Sequence, residues 1–353
     1  MNRFHHLARL FDGDVLQPAW RRDEPHLGSL AGIRFHYTNS AEHPAVLRPV
    51  WDLVFYLVAA WRLLRRGARY DCVIAFGFFK TALAGWLLAR LSGARFILEV
   101  AVRQERIVKL SDRRSSRFTR LADRARIAFA GFLLGRADRL RLMYPGQIDV
   151  FPCARGIPAD AFPDFVPVSA LEAQPHAGIV LIMGSPLYLK GADLAIAAFG
   201  RIAGEFPLHR LLVVGHGTDL PRFKTLARNV PRVQFADPLP YDQAMDLLAR
   251  ACCVLVPSRS DAMPRVAIEA MALGKPLIAA AVDGLAHYLR HEETALLCPP
   301  DDAEAMSDML RAVLSDPALA AGLGERARRW ALAHCSEVRY VERFYSMARA
   351  CLA

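Results

Sequence analysis

The sequence predicts an α/β chain of two doubly wound domains, on three observations. Short apolar runs of strand length alternate with amphipathic helical stretches along most of the chain. The alternation breaks over 163–176, where Pro163, Pro167 and Pro175 punctuate a segment without periodicity. A length of 353 residues is long for one core and comfortable for two. The expected organisation is an N-terminal domain over 1–162, a linker over 163–176, a second domain over 177–335 and a C-terminal helix over 336–353.

In the first half, 33–37 reads as a short strand and 50–66 as an amphipathic helix stopped at Gly67. A buried strand over 72–76 ends at Gly77, and a helix follows over 80–91. A strand over 95–102 leads into a long basic helical region reaching about 137, then short strands over 139–143 and 149–151. The opening MNRFHHLARLF reads as the end of a helix, with His5 and His6 at exposed positions. In the second half, strands are expected over 179–183, 211–214, 233–235, 251–256, 277–281 and 295–297, with helices between, the first over 193–203. The last helix, 337–352, is amphipathic through Val338, Val341, Phe344, Tyr345 and Ala348.

Composition narrows the function classes. Apolar content of 54% with mixed charge describes a folded, soluble protein. The seven cysteines show no C-x-x-C and no metal-like pairing with histidine, so they read as incidental thiols in a reducing compartment. The amino terminus lacks the apolar core of a signal peptide, and the longest apolar stretch, 50–64, is too short to span a bilayer. A cytoplasmic protein is expected. Charge is uneven: residues 1–165 carry +11 and the remainder −1. The excess concentrates between Arg103 and Arg126, and such a patch suits an anionic partner, such as an inner-membrane surface or a lipid-linked diphosphate. The plainer alternative is a solvated helix face. Nucleic acid is not expected, because the run holds a single aromatic, Phe118, to stack on bases. Trp51, Phe55 and Trp61 read as core residues of the first domain.

The most informative segment runs from Pro257 to Pro276, PSRSDAMPRVAIEAMALGKP. A buried strand ends in a polar loop, Pro264 opens a helix, and Gly274 with Pro276 closes it before the next strand. This βαβ unit directs its loop to the carboxyl edge of a parallel sheet, where such folds bind ligands. Asp261 stands at the loop tip and Glu269 one and a half turns into the helix, whose first-turn N–H groups are left for an anion. The alternative is an Arg265–Glu269 i,i+4 surface pair beside a turn aspartate. Upstream, Gly184-Ser-Pro-Leu-Tyr-Leu-Lys190-Gly191 ends one strand and precedes a helix, a second place where backbone N–H groups and a lysine can meet phosphate. Lys190-Gly191 as a mere turn is the competing view, as are tight-turn roles for Gly215 and Gly217.

Taken together, these motifs resemble the donor site of retaining family 4 glycosyltransferases of the GT-B fold, over roughly 178–335. The resemblance implies two Rossmann-like domains facing a cleft, the N-terminal one short of the family's first strand and glycine-rich loop. It implies transfer of a hexose, with retention, from a UDP- or GDP-linked donor to a glycan or polyprenyl-diphosphate-linked acceptor, without metal or further cofactor. Lys190 and Asp261 are then the catalytic residues. Gly184, Ser185, Gly215 and Gly217 line the donor, and the turn around Leu239 receives the base. Glu269 binds the ribose, Asp261 and Met263 the transferred sugar, and Arg265 and Val266 the distal phosphate. Ser185 stands where the family has arginine, and Asp261 where it has glutamate. These departures and the short N-terminus leave open a non-catalytic subunit that only binds nucleotide or partners, or an unrecognised upstream segment. A sugar-nucleotide epimerase fits less well.

Overall fold

The computed structural model of the chain describes residues 3–18, 28–38, 43–44, 47–100, 117–167 and 178–353. The chain divides into two compact units, one of Met1–Phe162 with Val341–Ala353 and one of Pro163–Tyr340.

Among the described residues, the first unit begins with a short helix, α1 (Phe4–Leu7), and carries two sheets. In one, β1 (Gly13–Pro18) runs parallel to β3 (Ile33–Thr38), and β2 (Ser29–Leu30) adds antiparallel to β3. Helix α2 (Arg48–Arg65) follows. The second sheet is parallel, in the order β4 (Cys72–Phe76), β5 (Arg95–Glu99), β6 (Arg139–Leu142) and β7 (Ala159–Ala161). Helix α3 (Lys80–Ser92) joins β4 to β5 and ends at Gly93, whose φ of 75° suits a residue without Cβ. Helix α4 (Arg117–Leu134) precedes β6. Phe96 and Leu98 of β5, Leu140 of β6 and Leu133 and Leu134 of α4 form the core of this sheet.

Several expectations for this unit need correcting. Residues 149–151 are not a strand: Pro145–Val150 is a 3-10 helix. The buried side chain of Gln147 explains it, accepting from the Met143 N–H at 2.8 Å and donating to the Val100 carbonyl at 3.2 Å. That capping holds the chain in a tight turn where a ladder would leave the amide unsatisfied. Strands β1 and β7 were not anticipated. Trp51 and Trp61 are not core residues: they are 44% and 54% exposed on α2, while Asp52, Tyr56, Ala60 and Leu63 face inward. Strand β5 stops at Glu99, and residues 101–102 lie outside the described ones. So do Arg103, Glu105, Arg106, Lys109, Arg113 and Arg114 of the basic run; Arg124 and Arg126 are exposed on α4. Glu99 itself is buried, held by Arg3 at 2.9 Å and Arg141 at 3.1 Å.

The second unit holds a six-stranded, wholly parallel sheet. Its strands are β8 (Ile179–Met183), β9 (Arg210–Val214), β10 (Val233–Ala236), β11 (Ala251–Val256), β12 (Leu277–Ala280) and β13 (Leu296–Cys298). Their spatial order is β10-β9-β8-β11-β12-β13, so the winding reverses between β8 and β11. Helices cover both faces, which is why β8, β11 and β12 are continuous apolar runs. Between the strands lie α5 (Ala192–Ile202), α6 (Leu220–Leu226), α7 (Tyr241–Ala249), α8 (Arg265–Ala272) and α9 (Asp283–Tyr288). Helices α10 (Ala303–Ser315) and α11 (Pro317–His334) start on Asp302 and Asp316, whose carboxylates accept first-turn N–H groups. In α12 (Glu337–Leu352), Tyr340 meets Phe165 at 4.9 Å within this unit. From Val341 onward the helix belongs to the first unit, where Phe344 meets Phe11 edge-on at 5.9 Å.

Candidate functional site

A reversal of winding opens a crevice at the carboxyl ends of the two strands that flank it, because their following helices depart to opposite faces. Here those strands are β8 and β11, and the loops that leave them are 184–191 and 257–264. Two glycines let the backbones close on each other. A Cβ on Gly191 would lie 2.0 Å from the Pro257 carbonyl oxygen, and one on Gly215, at the end of β9, 2.2 Å from that of Gly184. Neither position tolerates a side chain without displacing backbone.

Lys190 and Asp261 meet at this point. Lys190 Nζ is 2.5 Å from Asp261 Oδ2, and Ser258 Oγ donates to the same oxygen at 3.1 Å. Both side chains are largely but not fully covered, 19% and 15% exposed, so the pair is within reach of a ligand. Behind it, Arg259 braces the loop. Its guanidinium makes two bonds to Asp193 in the first turn of α5 (2.9 and 2.8 Å), donates to the Tyr188 carbonyl at 2.7 Å and pairs with Asp301 at 3.1 Å. It also lies 4.3 Å from the Tyr188 ring centroid, so one side chain ties the β11 loop to the β8 loop. Ser260 adds a bond to Asp283 at 2.6 Å.

Helix α8 starts beside this pair. Pro264 is its N-cap, one residue outside the position expected, with φ −67° and ψ 143°. The first intrahelical bond runs from Ala267 N–H to the Pro264 carbonyl at 2.9 Å. The N–H groups of Arg265 and Val266 precede it and present the positive end of the helix. Glu269 lies about 6 Å further along the axis, at 1.5 Å per residue. It is buried, at 5% exposure, with Arg265 Nη2 at 3.5 Å. The surface-pair alternative is therefore half right: the i,i+4 pair exists, but its carboxylate is inside. Burial pushes the Glu269 pKa above the usual carboxylate range, against the lowering effects of Arg265 and Tyr241. The Arg265 guanidinium also lies 5.8 Å from the Tyr241 ring centroid.

The remaining candidates divide. Gly184 and Gly217 sit at the ends of β8 and β9, with the Gly184 N–H bonded to Val214 at 2.9 Å. Ser185 ties those ends together, its Oγ accepting from the His216 N–H at 3.0 Å and lying 2.9 Å from His216 Nδ1. Leu239 is half-buried beyond β10, two strands from β8 and so about 10 Å along the sheet. Met263 is buried in the core, at 3% exposure. Ser258, Arg259, His216 and Tyr241 also belong to this arrangement, without a motif in the sequence that marks them. No local signal marked Arg259, because its carboxylate partner Asp193 is 66 positions away.

The sequence does contain an Asp-x-Asp spacing, Asp12-Gly13-Asp14. Asp14 is taken by Arg34 at 2.7 Å, His36 at 2.7 Å and Tyr70 at 2.8 Å. Burial alone would raise its pKa, and these hydrogen bonds overcome that to bring it to about 2.

Arg259→Ala is expected to weaken the affinity for the ligand of this crevice about tenfold and to lower stability by about 1–3 kcal/mol, since it leaves two carboxylates and a carbonyl without their donor. Arg259→Lys should recover stability only in part, having no planar fork. Thermal unfolding and binding titrations check this; an unchanged affinity with lowered stability would make Arg259 purely structural.

Residues 170–330 match the family described as glycosyl transferases group 1. The chain is 29% identical over 191 residues to the glycogen synthase of Mycobacterium tuberculosis, which is 53% of this chain and 45% of that protein. Among solved structures, sucrose-phosphate synthase from Thermosynechococcus elongatus is similar with a TM-score of 0.81 at 20% identity, covering 99% of this chain and 91% of that one. Anabaena Alr3699/HepE in complex with UDP-glucose is similar with a TM-score of 0.69 at 15% identity, over 91% and 86% of the two chains. These likenesses bear on fold, and the fold is of the GT-B class. Over residues 170–330, slightly less than half of its length, the chain is similar to the glycosyl transferases group 1 family.

Proposed function

We propose that this chain is a retaining hexosyltransferase that moves a hexose from a UDP- or GDP-linked donor to a glycan acceptor carried on a polyprenyl diphosphate or another lipid. The observation that carries the reading is the meeting of Lys190, Asp261 and the open first turn of α8 where the sheet reverses its winding. The match of residues 170–330 to the glycosyl transferases group 1 model supports sugar transfer, and the UDP-glucose complex of a protein with the same fold supports a nucleotide-sugar donor.

In this reading the diphosphate takes the N–H groups of Arg265 and Val266 and draws the Lys190 ammonium away from Asp261. Gly184, Gly215 and Gly217 leave room for its backbone contacts, with Ser185 holding their loops together. Glu269 accepts from the ribose hydroxyls, and the base lies toward Leu239. Asp261, freed from Lys190, and the backbone at Met263 orient the hexose. The bond from the anomeric carbon to the diphosphate oxygen breaks, and the acceptor oxygen bonds that carbon from the same face. The acceptor proton passes to the leaving phosphate oxygen. Lys190 and the helix-terminal N–H groups stabilise the charge that develops there, with no cofactor beyond the donor.

A cytoplasmic enzyme at the inner face of the membrane is part of the proposal. The +11 charge of residues 1–165 supports it, and among the described residues no helix is long and apolar enough to cross a membrane. The test is calorimetric titration and turnover across UDP- and GDP-sugars, with the anomeric configuration of the product read by NMR. One nucleotide series should bind and turn over with retention. An inverted product removes the retaining mechanism, and no nucleotide binding removes the site. Binding without turnover on any lipid-linked acceptor returns the non-catalytic reading, which the Ser185 and Asp261 departures favour.

A further inference from the structure

Helix α2 buries one apolar face and shows another. Asp52, Tyr56, Ala60 and Leu63 pack inward. On the other side Val50, Trp51, Val54, Leu57, Val58 and Trp61 form one stripe at helical spacing, all exposed, Val50 by 61% and Trp61 by 54%. A single exposed leucine or valine needs no account, but a contiguous stripe with two tryptophans does. The acid on this helix, Asp52, is inside and paired with Lys80. Beyond the stripe, Arg62, Arg65, Arg66 and Arg69 are all exposed, and the Arg65 guanidinium lies 4.7 Å from the Trp61 ring centroid. The outward surface of α2 is thus apolar along its length and cationic at its carboxyl end.

We infer that α2 is a membrane-docking helix, lying in the plane of an anionic bilayer with its outward stripe at the boundary between headgroups and acyl chains. The tryptophans have the amphipathic rings that settle at that depth. The arginines are complementary to anionic headgroups and keep their guanidinium groups in water while their stems cover apolar surface. An acidic protein groove would also attract arginines. The stripe's length and its aromatic ends fit a planar apolar phase better than a pocket. This rests on the membrane part of the proposed function and not on the donor site. It assigns the apolar insertion to α2, which the charge of the Arg103–Arg126 run does not provide.

The test uses the full chain with vesicles of three parts phosphatidylcholine to one part phosphatidylglycerol, and of phosphatidylcholine alone, in a flotation assay. The chain should bind the anionic vesicles, with tryptophan fluorescence quenched by brominated acyl chains. The double variant Val54→Glu/Val58→Glu, at exposed positions that leave the core intact, should weaken binding at least about tenfold with unchanged thermal unfolding. Trp51→Phe/Trp61→Phe should bind but lose the quenching. Wild-type affinity in the glutamate variant would overturn the assignment to α2. If Arg113→Ala/Arg114→Ala/Arg117→Ala then loses binding, charge docking stands without α2. No binding of the wild type to either vesicle would overturn both. A wild-type dimer that the glutamate variant dissociates, with no vesicle binding, would assign the stripe to a second copy of the chain instead.

Discussion

Replacing Lys190 by methionine is expected to lower the turnover of the sugar donor by about 10²–10³-fold, the effect of removing one preorganised charge from a leaving group. Affinity for the donor should fall less, by about tenfold, because the first-turn N–H groups of α8 still hold the diphosphate in the ground state. The Lys190–Asp261 pair makes the experiment more informative than a single deletion. If the pair were only a brace between two loops, Lys190→Met would leave Asp261 with Ser258 alone, and adding Asp261→Asn would restore both stability and activity. If Lys190 serves the diphosphate, the double variant stays inactive. Steady-state kinetics with thermal unfolding of the wild type and the two variants separates the cases. Turnover within a few fold of wild type in Lys190→Met would remove it from the chemistry.

Glu269→Gln should weaken donor binding by about 10–100-fold, the loss of hydrogen bonds to a charged acceptor. Stability should move the other way. Burial holds the Glu269 pKa above its unfolded value, so the folded chain binds this proton more tightly than the unfolded chain. The contribution of that group to stability is therefore largest at low pH and declines as pH rises through the raised value. Glutamine does not ionise and escapes that decline, so at neutral pH the variant should unfold at the same temperature or a higher one. The pH dependence follows with the same sign. Donor affinity of the wild type should fall as acidification protonates Glu269, starting above the usual carboxylate range, while the glutamine variant stays flat there. A variant that unfolds well below wild type would mean that the Arg265 pair outweighs the cost of burial. Near-normal nucleotide affinity would take Glu269 out of the site.

Legibility along the chain followed burial. Apolar runs mark β8 and β12 to within a residue at each end, because strands buried on both faces by helices must be continuously apolar. The first unit offered weaker signals. Strand β1, GDVLQP, sits in a three-stranded sheet and ends in proline, and β7 has three residues, too few for any period to show. The 3-10 turn over Pro145–Val150 depends on what the Gln147 amide reaches, including the Val100 carbonyl 47 positions away. The tryptophans of α2 failed in an instructive way. An amphipathic period shows that one face is buried, but it does not say that the opposite face is polar.

By itself, the sequence determined the α/β class, the strands of the second unit, the presence of Lys190 and Asp261 in strand-end loops and that of Glu269 in the helix after the second loop. Those properties are local, set by periodicity, proline and glycine within about twenty residues. Tertiary structure alone decided which strands neighbour the reversal, that Lys190 and Asp261 face each other across 71 positions, and that Glu269 is buried. It also decided that Arg259 binds the two loops together and that α2 shows its tryptophans outward. Each of these depends on pairing between segments far apart in the chain. Local pattern carries no information about such pairing, because loop closure and packing select the partners only when the sheet assembles.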